Sequence, residues 1–126
     1  MRAKKITDPA SVLNHGVIIN TNAYAYVKNL KVMPLVSDIV DKCVECGYCE
    51  NRCPSRDFTV TPRQRIVIKR ALERLKKENN FAVIDEIEKD FSFSVLDTCA
   101  VDGMCATDCP VVINTGELVK ALRKKN

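Results

Sequence analysis

No stretch of this chain approaches the roughly 18 consecutive apolar residues needed to cross a bilayer, which excludes a transmembrane helix. No secretory leader is expected either: Met1-Arg2-Ala3-Lys4-Lys5 is basic, but Ile6-Thr7-Asp8-Pro9 follows it without an apolar core. Histidine occurs once, as His15 between Asn14 and Gly16, a setting that reads as turn chemistry and not as a metal ligand or proton shuttle. No helix-turn-helix or basic-arm pattern occurs, and no base with a substrate pocket is recognisable. With 126 residues the chain is short for an enzyme that must also hold a substrate and an organic cofactor. At 46% hydrophobic and 29% charged residues it otherwise has the composition of an ordinary globular domain.

Cysteine is plentiful, seven in all, and its spacing carries the chemistry. The run Cys43-Val44-Glu45-Cys46-Gly47-Tyr48-Cys49-Glu50-Asn51-Arg52-Cys53-Pro54 has the C-x2-C-x2-C-x3-C-P spacing that binds iron–sulfur clusters. Three thiolates on one tight loop can each hold a corner of a cubane, while the fourth points away and Pro54 redirects the chain. A second run, Cys99 to Pro110, keeps the same register except that Asp102 stands where a cysteine would be. All seven cysteines are thereby used, and an odd count with none left over argues against a disulfide framework and for thiolates kept reduced as ligands. A reducing, cytoplasmic compartment is expected. Structural zinc, the alternative, prefers two separated pairs of ligands and fits three cysteines at successive short spacings poorly.

In two-cluster ferredoxins the fourth cysteine of each run crosses to the other cluster. Cys43, Cys46 and Cys49, completed by Cys109, would then hold one 4Fe-4S cluster. Cys99 and Cys105, completed by Cys53, would hold the second. Asp102 decides the type of that second site: as a ligand it gives 4Fe-4S with one hard oxygen, and as a turn former it leaves 3Fe-4S. The formal charge of +4 counts cysteine as neutral. Each thiolate-bound cluster would contribute about −2, so the loaded protein would be near neutral and no nucleic-acid partner is expected.

Along the chain, residues 1–36 form an irregular arm: Val12 to Asn20 is a short β-branched run bounded by turn formers, followed by Tyr24, Tyr26 and an apolar stretch broken by Pro34. Residues 37–126 read as an all-α, helical ferredoxin-like domain with two cluster loops. Ser37 or Asp38 can cap a short turn before the first motif. Thr61-Pro62-Arg63-Gln64 is a capping box with proline at the first helical position, and it predicts a helix from about Pro62 to Glu78. Its apolar stripe is Ile68, Ala71, Leu72 and Leu75, leaving Arg63, Lys69, Arg70, Glu73, Arg74, Lys76 and Lys77 largely outside. After Asn79-Asn80, a second helix fits Phe81 to Phe91, with Val83, Ile84, Ile87 and Phe91 on its apolar side. A last helix follows the Asn114-Thr115-Gly116-Glu117 cap, runs through Leu118, Val119 and Leu122, and ends in Arg123-Lys124-Lys125.

Two paired runs with the second lacking its second cysteine resemble the helical ferredoxin domain of succinate dehydrogenase and fumarate reductase iron–sulfur subunits, although that family has an apolar residue at the place of Asp102. A nearer resemblance is to the iron–sulfur region of FAD-linked D-lactate and related 2-hydroxyacid dehydrogenases. It is carried by Cys46-Gly47-Tyr48-Cys49-Glu50, Cys53-Pro54-Ser55-Arg56-Asp57, Thr61-Pro62-Arg63-Gln64-Arg65-Ile66 and Cys99-Ala100-Val101-Asp102-Gly103-Met104-Cys105-Ala106-Thr107. Leu13-Asn14-His15-Gly16-Val17-Ile18 is similar to the tail that closes the flavin domain there, with His15 in place of the usual proline.

The resemblance implies an electron carrier that has no substrate site of its own. It would take electrons from FAD held in a missing or partner flavin-containing dehydrogenase domain or subunit, and pass them to a quinone, cytochrome or protein acceptor. It further implies that the chain is a fragment or a split-gene subunit, with peripheral membrane association only through a partner. The competing readings are a detached subunit of a heterodisulfide-reductase-like or glycerol-3-phosphate-dehydrogenase-like complex, an iron–sulfur hydratase, and a regulatory sensor.

Overall fold

A capping box starts the longest helix of the computed structural model, which describes residues 2–17 and 19–125. The Thr61 side chain accepts from the Gln64 N–H, and Gln64 Oε1 returns the bond to the Thr61 N–H at 2.8 Å. Proline at the first helical position needs no N–H there, so helix α2 runs Pro62–Lys77 as its sequence predicts. Asn79 takes a left-handed φ of 55°, which ends the helix and turns the chain into α3, Phe81–Phe91.

The chain divides into two units, Met1–Val32 and Met33–Asn126. In the first, helix α1 spans Arg2–Thr7, a segment in which the sequence pattern predicts no helix. Asp8 organises the next turn: its carboxylate accepts from the N–H groups of Val12 and Leu13 and from Lys4 Nζ. The β-branched run after Val12 forms no strand among the described residues, because Asn14 and Gly16 both adopt left-handed backbone that breaks an extended path. Ile18, part of that run, lies outside them. His15 is exposed in this turn, with Nδ1 3.2 Å from Ser11 O, as its neighbours predict.

The second unit is all helix and turn among the described residues. Ahead of the first motif Ser37 caps one short turn as its sequence predicts, its Oγ accepting from the Ile39 N–H at 3.4 Å, while Asp41 Oδ1 takes the N–H groups of Val36 and Ser37. After α3 the helix widens into a π-helical segment, Ser92–Asp97, which periodicity does not anticipate. Helix α4 covers Thr115–Arg123. Its Asn114 cap takes the N–H of Gly116 at 3.0 Å, so the bond reaches the second helical residue and no capping box with Glu117 forms.

Three buried groups make the core. Val40, Ile66, Ile113 and Leu118 pack with the half-buried Cys43 and Cys109. Leu72, Leu75 and Ile84 join α2 to α3. Val95, Leu96 and Val119 seat the π-helical segment on α4 beside Cys99 and Val101. Each such aliphatic side chain contributes about 1.5–3 kcal/mol by leaving water, so the cluster loops are mounted on apolar packing and not merely appended to it.

Two expectations about helix faces need correction. Periodicity places Arg70 outside, but it is only 5% exposed, because the ionic and carbonyl partners on the first cluster loop draw it inward. Val83 belongs by spacing to the apolar side of α3 but is 38% exposed, leaving Ile84 as the buried contact.

Candidate functional site

The two cysteine runs adopt one backbone design twice. Two residues after the first cysteine of each run, Glu45 and Val101 take left-handed φ of 60° and 59°, and two residues further on Gly47 and Gly103 do so again at 89° and 75°. Each glycine then opens a 3-10 turn, Tyr48–Arg52 in the first loop and Met104–Ala106 in the second. A β-branched valine at such a φ is strained, so packing must hold it there. Gly116 lets it: a Cβ at that position would meet Val101 Cα at 3.3 Å. The repeat makes Asp102 the positional counterpart of Cys46, and both are exposed.

Four side chains hold the loops in place. Arg70 on α2 donates through Nη1 to Cys43 O at 3.0 Å and to Glu45 Oε1 at 2.8 Å, and through Nη2 to Asp41 O at 3.3 Å. Glu50 Oε1 accepts from the cap hydroxyl of Thr61 at 2.7 Å and from Arg63 Nε at 2.9 Å, fixing the first loop to the start of α2. Burial works against the Glu50 carboxylate, but the bonds from Thr61 and Arg63 outweigh it and hold the group below the ordinary glutamate range. Arg52 Nε donates to Asp108 Oδ2 at 2.7 Å and joins one run directly to the other. Arg123 donates to the carbonyls of Leu96, Asp97 and Cys99, pinning the entry of the second loop to α4.

The seven thiols are all free of disulfides. Cys53, Cys99 and Cys105 line one recess, together with Asp102, Arg65 and the first residues of α4, Thr115 and Gly116. The first-run cysteine thus faces the second-run pair. Cys43 and Cys109 pack on one part of the core, and Cys49 lies within electrostatic reach of Cys43, Cys109 and Cys105. Burial above all pushes the Cys49 thiol up to about 11; a backbone hydrogen bond from Arg63 opposes this, and the neighbouring thiols add to it. Cys46 is exposed at the first loop's edge. Asp102 Oδ1 accepts the Met104 N–H at 3.1 Å, which is the turn-forming bond, while the residue also stands on the recess wall.

The recess suits an anionic, thiolate-bound group. Its donor set is soft sulfur, the N-terminus of α4 contributes a positive dipole end, and Arg65 places a buried cation on its wall. Among the described residues no three His, Cys, Asp or Glu side chains converge closely enough to hold a single metal ion. No helix among those residues is long and apolar enough to cross a membrane.

The cysteine motifs alone do not single out Arg65, Arg70, Glu45 or Glu50 as site residues. A signal exists for the first: Arg65, Ile68, Leu72 and Leu75 share the i, i+3, i+7, i+10 spacing, which puts a cation on the apolar stripe itself.

Residues 39–113, more than half of the chain, match the profile of the 4Fe-4S dicluster domain. No curated protein and no solved structure matches the chain.

Proposed function

The chain belongs to the 4Fe-4S dicluster domain family and serves electron transfer; from that premise we propose that it is the iron–sulfur module of a flavin-dependent D-lactate or 2-hydroxyacid dehydrogenase. In this reading FAD belongs to a dehydrogenase domain or subunit outside residues 1–126, and the final acceptor is a quinone, a cytochrome or another protein. The observation that carries the two-site relay is the recess shared by Cys53, Cys99 and Cys105, which joins ligands from both runs. The motif stretches around Cys46–Glu50, Cys53–Asp57, Thr61–Ile66 and Cys99–Thr107 support the dehydrogenase affiliation by resemblance.

When bound, the clusters supply one-electron steps at potentials set by charge, hydrogen bonds to sulfur and exposure. The protein's own residues do the rest. Cys43, Cys46, Cys49 and Cys109 would hold the first 4Fe-4S cluster. Cys53, Cys99 and Cys105 would hold the second, which would be 4Fe-4S if Asp102 ligates and 3Fe-4S if that carboxylate keeps only its turn bond to Met104. Arg70, Arg52 and Glu50 keep the loops rigid, so that little reorganisation accompanies a change of charge at the sulfur atoms. The electrostatic reach between Cys49 and Cys105 supports two neighbouring sites, and their unequal surroundings would give an electron a direction.

The test mixes the iron-loaded chain with a flavin protein of the 2-hydroxyacid dehydrogenase type and follows the visible and paramagnetic signals anaerobically. Adding D-lactate or another 2-hydroxyacid should reduce both clusters, and only when the flavin protein is present. Reduction by glycerol 3-phosphate or thiol–disulfide partners instead would reassign the chain to those complexes, and redox-silent clusters with dehydratase activity would overturn the electron-transfer relay.

A further inference from the structure

We propose that Arg65 is a positioning residue for the second cluster site: its buried guanidinium orients Cys53 and raises the reduction potential of the group held there. The inference rests on the two-site reading above and deepens it. Arg65 is 1% exposed, the largest of the fully buried side chains, and it lines the recess with Cys53, Cys99 and Cys105. Among the described residues no carboxylate pairs with it. Arg52, Arg63 and Arg70 differ in this respect, meeting Asp108, Glu50 and Glu45, while Arg123, which takes only backbone carbonyls, is exposed to water. A buried cation without an acid is strongly disfavoured unless an anion comes to it, and the thiolates of the recess are the anions its position offers.

The hydrogen bonds give the orientation a definite polarity. Arg65 Nε donates to Val95 O at 2.9 Å, and Nη2 donates to Thr98 Oγ1 at 3.2 Å and to Ser55 Oγ at 3.1 Å. Thr98 is fixed in turn, donating to Ser94 O at 2.8 Å and accepting from Thr59 Oγ1 at 2.7 Å. Because a guanidinium can only donate, Ser55 must accept from it, which leaves the Ser55 hydrogen for Cys53 Sγ at 3.1 Å. Arg65 Nη1 reaches the same sulfur at 3.8 Å. Cys53 thus faces two donors and a fixed positive charge. An added electron makes the site more negative, so these groups stabilise the reduced form more than the oxidised one and shift the potential upward. At the first site the sulfurs take backbone donors, Glu45 N–H to Cys43 Sγ at 3.4 Å and Arg63 N–H to Cys49, but Arg70 contacts Cys43 only through its carbonyl and shares its charge with Glu45.

The experiment is a redox titration of the iron-loaded chain by electron paramagnetic resonance, with the second site's signal identified as the one lost in Cys105→Ser. Arg65→Gln should lower that potential by at least a tenfold change in its reduction equilibrium, about 59 mV for one electron, and leave the first site where it was. Arg65→Lys, which keeps the charge, should shift it less, and Ser55→Ala should lower it with the cation in place. If Arg65→Gln does not retain the second cluster, the Lys and Ala variants decide. Variants that keep both clusters with unchanged potentials, or that move both sites equally, would refute the role of Arg65. A parent chain that binds neither iron nor sulfide would instead refute the site reading itself.

Discussion

Replacing Cys53 by serine separates a crossed arrangement from a motif-by-motif one. By sequence Cys53 closes the first run, yet it faces Cys99 and Cys105 across the recess, 3.1 Å from Ser55 Oγ and 3.8 Å from Arg65 Nη1. Removing it takes one of the three recess thiols and leaves Cys43, Cys46, Cys49 and Cys109 untouched. Serine is a harder, more basic ligand that soft iron–sulfur sites accept poorly. With two cubanes loaded the chain carries about eight irons, or about seven with 3Fe-4S at the second site, and Cys53→Ser should leave about four. Cys109→Ser should do the reverse, leaving the recess group and removing the first. The assay is iron and acid-labile sulfide per chain, combined with low-temperature paramagnetic spectra of the reduced and oxidised forms. A Cys53→Ser chain that keeps the recess signal and loses the first-site signal would refute the crossing.

Three further outcomes rest on named contacts. In the cluster-free chain, Cys49 with its thiol near 11 should be thiolate in only about one molecule in a thousand at pH 8, so iodoacetamide mapped by mass spectrometry should label the exposed Cys46 well before it. Glu50→Gln should weaken the chain by about 1–2 kcal/mol near neutral pH through the bonds to Thr61 and Arg63. Because the Glu50 carboxyl is held below the ordinary value of 4.5, its contribution is complete above that pH and fades as pH falls through the lowered folded value, so the gap in thermal midpoint between variant and parent should shrink at pH 3.5. Gly116→Ala gains about 1 kcal/mol of helix preference. It also forces a methyl to 3.0 Å from Asn114 Oδ1 and 3.3 Å from the Val101 backbone, an overpacking worth about 1–3 kcal/mol. The net effect should be a loss of the second-site signal on mild heating before the first.

Much of the fold is legible in the sequence because local chemistry and tertiary structure agree. Thr61-Pro62-Arg63-Gln64 needs only its own atoms to start α2, and Phe81–Phe91 follows Asn79-Asn80 with Ile84, Ile87 and Phe91 at helical spacing. The cysteine spacing likewise makes the recess thiols nameable in advance. The π-helical segment is hidden because it depends on distant residues: Arg65 takes Val95 O and Arg123 takes Leu96, Asp97 and Cys99 carbonyls, so the wider turn is held from outside the segment. Arg70 is misplaced by periodicity for a related reason. A helical stripe assigns charge to water by default, and only the fold shows that Glu45 and two loop carbonyls are waiting for it.

The same two arginines explain why near-identical loops need not behave identically. The left-handed pattern at Glu45 and Gly47 is repeated at Val101 and Gly103, so backbone geometry alone would make the sites twins. Helix α2 breaks the symmetry by presenting Arg70 to the first loop with Glu45 as its acid, and Arg65 to the recess with none. Asp102 breaks it again, placing an oxygen where the first loop has Cys46. The carboxylate and the cation act in opposite directions on the second site, one adding negative charge to its edge and the other positive charge to its wall. Where Asp102 keeps only its turn bond to Met104 its exposed charge is screened by water, whereas Arg65 is fully buried, so the arginine's effect is then the larger of the two. The recess should therefore be the more easily reduced site, and an electron entering at the first loop should come to rest there.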